Sequence, residues 1–425
     1  KSLLSYKTSM VYLSVFAIAV AVATFIENDY STRAARDVVY DARWFEVLLA
    51  LVGMSVLWNI ISRKLWQQKS PVFLFHLSFI IILLGAGSTR YFSDEGIMHI
   101  REGKAANSYI TNNAWLDIRA AAPGDTVHEM QQVRFSSFSE DRYEHSLRVG
   151  EQKIQLQSKR FVPGASLYTT SSPTGEPVLE IMMVVDGKSS TEYFNHKEIK
   201  TIQSFTVSFD DTTAQADVYI LAEGEDLSIR SSHTIHLVNK DDWSETKLEK
   251  HVSHPFHKKK LYKIDEIQFV LRKHLSKGRI EAEAAKDDKE YADALFMNVS
   301  SGDNDSRMLL VGGPRTMGQT SKIHINGVKV SIRYGSKTKQ LPFSLKLNDF
   351  IMERYPATES PSSFRSELTL IDPQKDINRP VSIFMNNILN HRGYRFYQTS
   401  YDKEEKGTYR TVNRDVPGTQ ITDLG

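Results

Sequence analysis

Ser70-Pro71-Val72-Phe73-Leu74-Phe75-His76-Leu77-Ser78-Phe79-Ile80-Ile81-Ile82-Leu83-Leu84-Gly85-Ala86-Gly87 is an almost wholly apolar run holding one ionisable side chain. Pro71 suits the first turn of a helix, where a missing N–H leaves nothing unsatisfied. At about 18 residues the run is long enough to cross the hydrocarbon core of a bilayer. It is read as a membrane helix over about 71–88. A histidine at membrane depth is expensive unless something coordinates or hydrogen-bonds it, which makes His76 a candidate functional residue.

Two further apolar segments precede it, at about 10–26 and 44–61. Trp44 and Trp58 lie toward the ends of the second, as interfacial aromatics do. The first segment, ending Ala19-Val20-Ala21-Val22-Ala23, has the outline of a secretory signal. Two more hydrophobic segments follow it closely, so a retained anchor is the preferred reading. Residues 1–90 are therefore assigned to the membrane. The N-terminus (Lys1, Lys7) and the link before the His76 helix (Arg63, Lys64, Lys69) are basic, whereas the link from Glu27 to Arg43 balances acids and bases. By the positive-inside rule the basic ends face the cytoplasm and everything after Arg90 is extracytoplasmic. His76, five residues past Pro71 and so about 7.5 Å along a helix, falls in the inner leaflet.

The mean hydropathy of −0.35 hides these segments, because more than three hundred polar residues dilute them. Net charge over the 425 residues is only +2, which gives no electrostatic case for nucleic acid. The absence of cysteine removes disulfides, thiolate metal sites and cysteine nucleophiles. The chain opens at Lys1 without an initiator methionine and ends at Asp423-Leu424-Gly425, and is read as a piece of something longer.

From residue 91 to 425 the texture is that of short strands, as in Lys153–Gln157, Leu179–Val185, Phe205–Phe209 and Val328–Ile332, bounded by Gly, Asp, Asn and Pro. A charged stretch at about 265–293 reads as a helical insertion. The fold class is thus an α + β membrane protein, three N-terminal transmembrane helices followed by a large, mostly-β extracytoplasmic domain of one or two lobes. No Walker loop, GxGxxG or GxSxG elbow is present. His251, His254 and His257 have metal-like spacing. Pro255 and Lys258-Lys259-Lys260 argue instead for a solvated loop.

His76 carries two readings of equal weight on residues alone, a hydrogen-bonded structural histidine or a haem-iron ligand. Phe73, Phe75 and Phe79 beside it are read either as haem packing or as lipid-facing side chains. No second histidine lies in the three segments, so a second axial ligand must come from elsewhere.

Three blocks then carry a resemblance. The first is Ala23-Thr24-Phe25-Ile26-Glu27-Asn28-Asp29-Tyr30 with Val39-Tyr40-Asp41-Ala42-Arg43-Trp44-Phe45-Glu46. The second is the His76 helix with Met98-His99-Ile100-Arg101-Glu102-Gly103. The third comprises Leu347-Asn348-Asp349-Phe350, Tyr355-Pro356, Pro361-Ser362-Ser363-Phe364-Arg365-Ser366, Gly393 to Asp402, and Pro417-Gly418-Thr419. Together they resemble the ResB/CcsB component of System II cytochrome c biogenesis; residues 210–320 match no such motif. The resemblance implies a multi-pass protein of the bacterial cytoplasmic (inner) membrane with its large domain on the periplasmic side, and a fourth transmembrane helix just past the C-terminal end. It implies a partner, CcsA, separate or fused, that bears the tryptophan-rich haem-handling segment. It implies haem b as cofactor, with His76 as axial ligand to the haem iron and Phe73 and Phe79 packing against it. The implied work is moving haem outward and presenting it to the CxxCH of apocytochrome c, as part of a cytochrome c synthase complex rather than as a self-contained enzyme. Under that reading Arg63, Lys64 and Lys69 set topology first and attract haem propionates second. The alternative is a membrane-anchored extracytoplasmic scaffold without haem of its own.

Overall fold

The structure, a computed structural model, describes every residue except 1–3, 69, 139–142, 186–187, 203–204, 214, 240–242, 286–290, 357, 359, 403–405 and 425. Lys1, Lys69 and Gly425 of the expectations above, and residues 286–290 of the expected insertion, lie outside the described residues. The chain forms two compact units, Lys1–Ala114 with Ser336–Gly425, and Trp115–Gly335.

In the first unit three helices are long and apolar enough to cross a membrane: α1 (Tyr6–Asp29), α2 (Arg43–Ser62) and α3 (Ser70–Phe92). Each outruns its apolar core because polar residues extend it. Ser5, for instance, caps α1 by accepting from the Thr8 amide at 3.3 Å. Small residues let α1 and the α1–α2 link pack tightly: Ala19, Ala23 and Ala35 are buried against Val39, Phe45 and Leu48. Van der Waals packing of this kind must hold membrane helices together, since lipid is as apolar as leucine. One polar contact supplements it, Asn59 Nδ2 donating to Ser9 Oγ at 3.3 Å between α2 and α1.

The unit continues with strands β1 (Asp94–Arg101), β2 (Ala105–Ala122), β3 (Val328–Arg354), β4 (Pro361–Asp372), β5 (Ile377–Phe384), β6 (Leu389–His391), β7 (Tyr394–Tyr401) and β8 (Gly407–Arg414), then a short helix α4 (Val416–Asp423). Strands β2 and β3 begin or end in the second unit. β1 pairs antiparallel with β8, Asp94 opposite Arg414 and Arg101 opposite Gly407. β8 pairs with β7, β3 with β4, and β4 with β5. Alternate residues of these strands face one core, including Met98, Ile100, Leu345, Leu347, Leu368, Leu370, Ile383, Phe396 and Val412. Each such burial contributes roughly 1.5–3 kcal/mol against about 1 kcal/mol net for a backbone hydrogen bond, so the apolar face decides the pairing. The sequence suggested a break at residue 90, but the first unit runs on through Ala114. The reason is local: α3 leads directly into β1, and Thr89 on α3 donates to Asp415 at the head of α4.

A buried carboxylate closes the turn end of this sheet. Asp372, fully buried, accepts from Arg392 Nε at 2.6 Å, Arg392 Nη2 at 2.8 Å and His391 Nε2 at 2.7 Å. Burial alone would raise its pKa, but the Arg392 and His391 hydrogen bonds outweigh that and hold it below the ordinary carboxylate value of 3.8. A depressed carboxylate stabilises the fold above its unfolded pKa and loses that contribution as pH falls through the folded value. Asp372→Asn is therefore expected to lower the melting temperature by several degrees at pH 7. The difference from wild type should shrink as pH falls below about 4, where the unfolded carboxyl takes up its proton before the folded one does. Thermal melts at pH 7 and pH 3 check this; an equal difference at both would refute it.

The second unit is all β. Its largest antiparallel sheet orders Glu245–Leu248, Ile235–Val238, Leu261–Ile264, Ile267–Ala284, Ala165–Val185 and Lys188–Asn195. The helical insertion expected at about 265–293 is not a helix: its described residues form the strands Ile267–Ala284 and Asp293–Ser301. Ile267, Phe269 and Leu271 alternate inward, as do Gly278, Ile280 and Ala282. Register shifts after Leu271 and Leu275 put the two runs out of phase, which hides the period of two from a sequence reader. The Glu-Ala-rich end then mimics helix composition, and tertiary pairing overrides that propensity.

Candidate functional site

Within α3, His76 is half-buried, and its Nδ1 lies 2.8 Å from the carbonyl oxygen of Val72, one turn back. A carbonyl only accepts, so the ring proton sits on Nδ1 and the Nε2 lone pair is bare. No partner to Nε2 is present among the described residues. A bare Nε2 with a fixed tautomer is what a metal-ligating histidine needs. Phe73 and Phe79 lie three residues before and after, on the same helix face. Both are partly exposed, while Phe75 meets the imidazole edge-on at 5.6 Å. Only 6% of the α3 span is buried within the chain against 28% of α2, so the His76 helix presents most of its surface to lipid or to another polypeptide.

The opposite end of α3 is clasped. Arg90 Nη2 lies 2.6 Å from Glu46 Oε1 and Arg90 Nη1 3.7 Å from Asp41, and Tyr91 donates its hydroxyl to Glu46 at 3.0 Å. Trp44 Nε1 donates to the Val38 carbonyl at 3.0 Å. Thus Asp41 and Glu46 of the first sequence block hold the helix that carries His76. Sequence reading singled out those acids but not Arg90, whose only signal was a cation closing an apolar helix.

α4 lies antiparallel along the same end. Asp415 caps it by accepting from the Gly418 amide at 3.0 Å. Gly418 meets Thr89, and Thr422 meets Gly85; a Cβ on either glycine would overlap those side chains. The glycines are there for close approach between helices.

The remaining blocks converge on the β part of this unit. Gly103, at φ +75°, donates to the Leu347 carbonyl at 2.8 Å, and Glu102 accepts from the Phe350 amide at 2.9 Å. Arg101 Nε is 3.2 Å from Asp402, whose carboxyl the Lys406 amide and Arg101 hold below its ordinary value against the effect of burial. His99, within 3.6 Å of Asp402, stacks on Tyr409 at 4.4 Å. Tyr401 packs on Phe350 and Phe364. Arg410 sits fully buried on the core face beside Thr408 and Val412, with none of its three nitrogens partnered among the described residues. The sequence reading passed over it.

His251, His254 and His257 fall in a loop and a two-residue strand, His254 Nε2 lying 3.1 Å from the Glu249 carbonyl. Among the described residues no group of three or more His, Asp or Glu is placed to hold a metal ion.

Three apolar helices bearing a half-buried histidine and leading into a β domain define a membrane protein whose helices and β motifs are tied at one end. Residues 309–424 match the model of the ResB-like family. The chain is also 31% identical, over all 425 residues, to Protein NrfI of Wolinella succinogenes, and spans about a third of that protein's length. The family match takes in β3 to β8 and α4, which meet the Met98–Gly103 block and α3 in the first unit.

Proposed function

We propose that this protein works in cytochrome c biogenesis of the System II type, holding haem b through His76 in the membrane. The observation that carries the reading is the His76 Nδ1 contact with Val72, which leaves Nε2 free to ligate. Phe73 and Phe79, sharing its helix face, pack against the bound macrocycle. Haem supplies the vinyl groups that form thioethers with the CxxCH cysteines of apocytochrome c. This chain's part is binding and orientation: His76 would hold the iron, and a partner of the CcsA kind, separate or fused, would supply a further ligand. The exposed flank of α3 is the surface that partner meets.

Lys7, Arg63 and Lys64 lie at one end of the helices, while the other end mixes Arg33, Arg36 and Arg90 with Glu27, Asp29, Asp41 and Glu46. That asymmetry supports a cytoplasmic N-terminus in the bacterial inner membrane, with both β units on the periplasmic side and His76 in the inner leaflet. The antiparallel seating of α4 on α3 supports its being the first turns of a fourth membrane helix. A strain lacking the full-length gene is expected to lose haem-stained c-type cytochromes and to regain them on complementation; undiminished cytochromes c in the deletion would overturn the proposal.

A further inference from the structure

In the second unit, the strand Asp125–Val133 belongs to one sheet and the strand Glu144–Val149 to another. Residues two apart share a face of a strand. Glu129 and Gln131 therefore project together from the first strand, and Tyr143 and His145 meet them from the head of the second. Three side-chain atoms converge there. Gln131 Nε2 lies 3.0 Å from Glu129 Oε2 and 2.9 Å from His145 Nε2, and His145 Nε2 lies 2.8 Å from Glu129 Oε2. At the other end of the amide, the Tyr143 hydroxyl donates to Gln131 Oε1 at 2.8 Å.

Hydrogen bonds alone do not satisfy this triangle while Glu129 is ionised. A bare His145 Nε2 accepts from Gln131 but then faces the carboxylate as a second acceptor. A protonated Nε2 donates to Glu129 but then faces the Gln131 amide as a second donor. Turning the amide over lets its nitrogen donate to the Tyr143 oxygen, but sets Gln131 Oε1 against Glu129 Oε2, again two acceptors. Every arrangement leaves one edge of the triangle with like poles at 2.8–3.0 Å. Polar groups left opposed in this way call for an explanation. The site is also accessible, with His145 24% and Glu129 36% exposed.

A cation removes the conflict, because with the amide turned over and the ring proton on Nδ1 all three atoms offer lone pairs. Two ligands about 2.1 Å from a metal and about 90° apart lie about 3.0 Å from each other, close to the spacing here. For calcium, at about 2.4 Å, the same angle gives about 3.4 Å, which is too wide. The imidazole nitrogen selects a transition ion over magnesium, which prefers oxygen alone. No three His, Asp or Glu are placed for a metal among the described residues; here the third ligand is an amide oxygen. We propose that Glu129 Oε2, Gln131 Oε1 and His145 Nε2 bind one divalent transition-metal ion of the zinc type, with water completing its shell and Tyr143 orienting the amide. Such an ion ties a strand of one sheet to a strand of another.

The test is equilibrium dialysis of the chelator-stripped, detergent-solubilised full chain against Zn2+, with Ca2+ for comparison. A saturable zinc site is expected that weakens by about tenfold or more in Glu129→Gln and in His145→Gln, with no comparable calcium binding. His254→Gln, in the loop whose histidines have metal-like spacing, should leave that site unchanged. Gln131→Glu replaces the amide ligand by a carboxylate and should tighten binding by about tenfold, a gain that misfolding cannot produce. No zinc binding, zinc binding unaltered by Glu129→Gln and His145→Gln, or its loss in His254→Gln would overturn the site. Weaker binding by Gln131→Glu would overturn the role of residue 131, and calcium held as tightly as zinc would overturn the metal class.

Discussion

A protein carrying His76→Ala, purified from membranes with its partner, is expected to lose the low-spin haem b absorption of the wild type and to regain part of it with added imidazole. The expectation rests on geometry. In wild type the Val72 carbonyl already fixes the tautomer, so removing the ring removes the proposed ligand and nothing else in α3 replaces it. No other histidine lies in α1, α2 or α3. Exogenous imidazole restores the iron ligand without restoring the covalent link, so the recovered band should be broader and dependent on imidazole concentration. Helix stability should change little, because the His76 hydrogen bond reaches a carbonyl that α3 already uses. Haem content falling by more than tenfold is the expected size of the effect. Identical spectra for wild type and variant would make His76 structural and put both ligands in the partner. Haem in neither preparation would favour a membrane-anchored scaffold.

The three long apolar helices were legible from the chain alone because the membrane imposes a crude rule. Length and apolarity mark a span whatever its tertiary surroundings, and a lone histidine inside one is conspicuous. The ends were less legible: Tyr6 and Asp29 extend α1 beyond its apolar run because caps and polar turns, not hydropathy, stop a helix. The clasp of Arg90 on Asp41 and Glu46 depends on two helices coming side by side, and no local pattern announces that. The strand Ile267–Ala284 was misread because two register shifts break its alternation while its composition favours helix.

Arg410 presents the opposite case, a signal in plain view that prior expectation masks. Thr408, Arg410 and Val412 alternate along β8, with Val412 in the core, so the period of two puts the guanidinium inside. Arginine is rarely buried without a partner, which is why the pattern goes unread. Here burial alone lowers its pKa from the ordinary arginine value to about 9, still well above neutral, so the side chain is charged at pH 7. That displacement corresponds to a penalty of roughly 3–5 kcal/mol. Arg410→Met keeps a long side chain of similar reach without the charge. It is expected to stabilise the first unit by about 1–4 kcal/mol, within the range seen when buried ions are replaced by apolar residues. The pH dependence has a defined sign. From about pH 9 upward the folded wild type binds fewer protons than the unfolded chain, so its stability climbs with pH there. The methionine variant lacks that climb, and its advantage over wild type should narrow from pH 9 upward. Hydrogen exchange at the β8 amides, compared between wild type and variant at pH 7, reads the effect within the unit concerned. Slower exchange in Arg410→Met is the expected result; faster exchange would mean that the guanidinium is stabilised in place and that the penalty assigned to its burial is wrong.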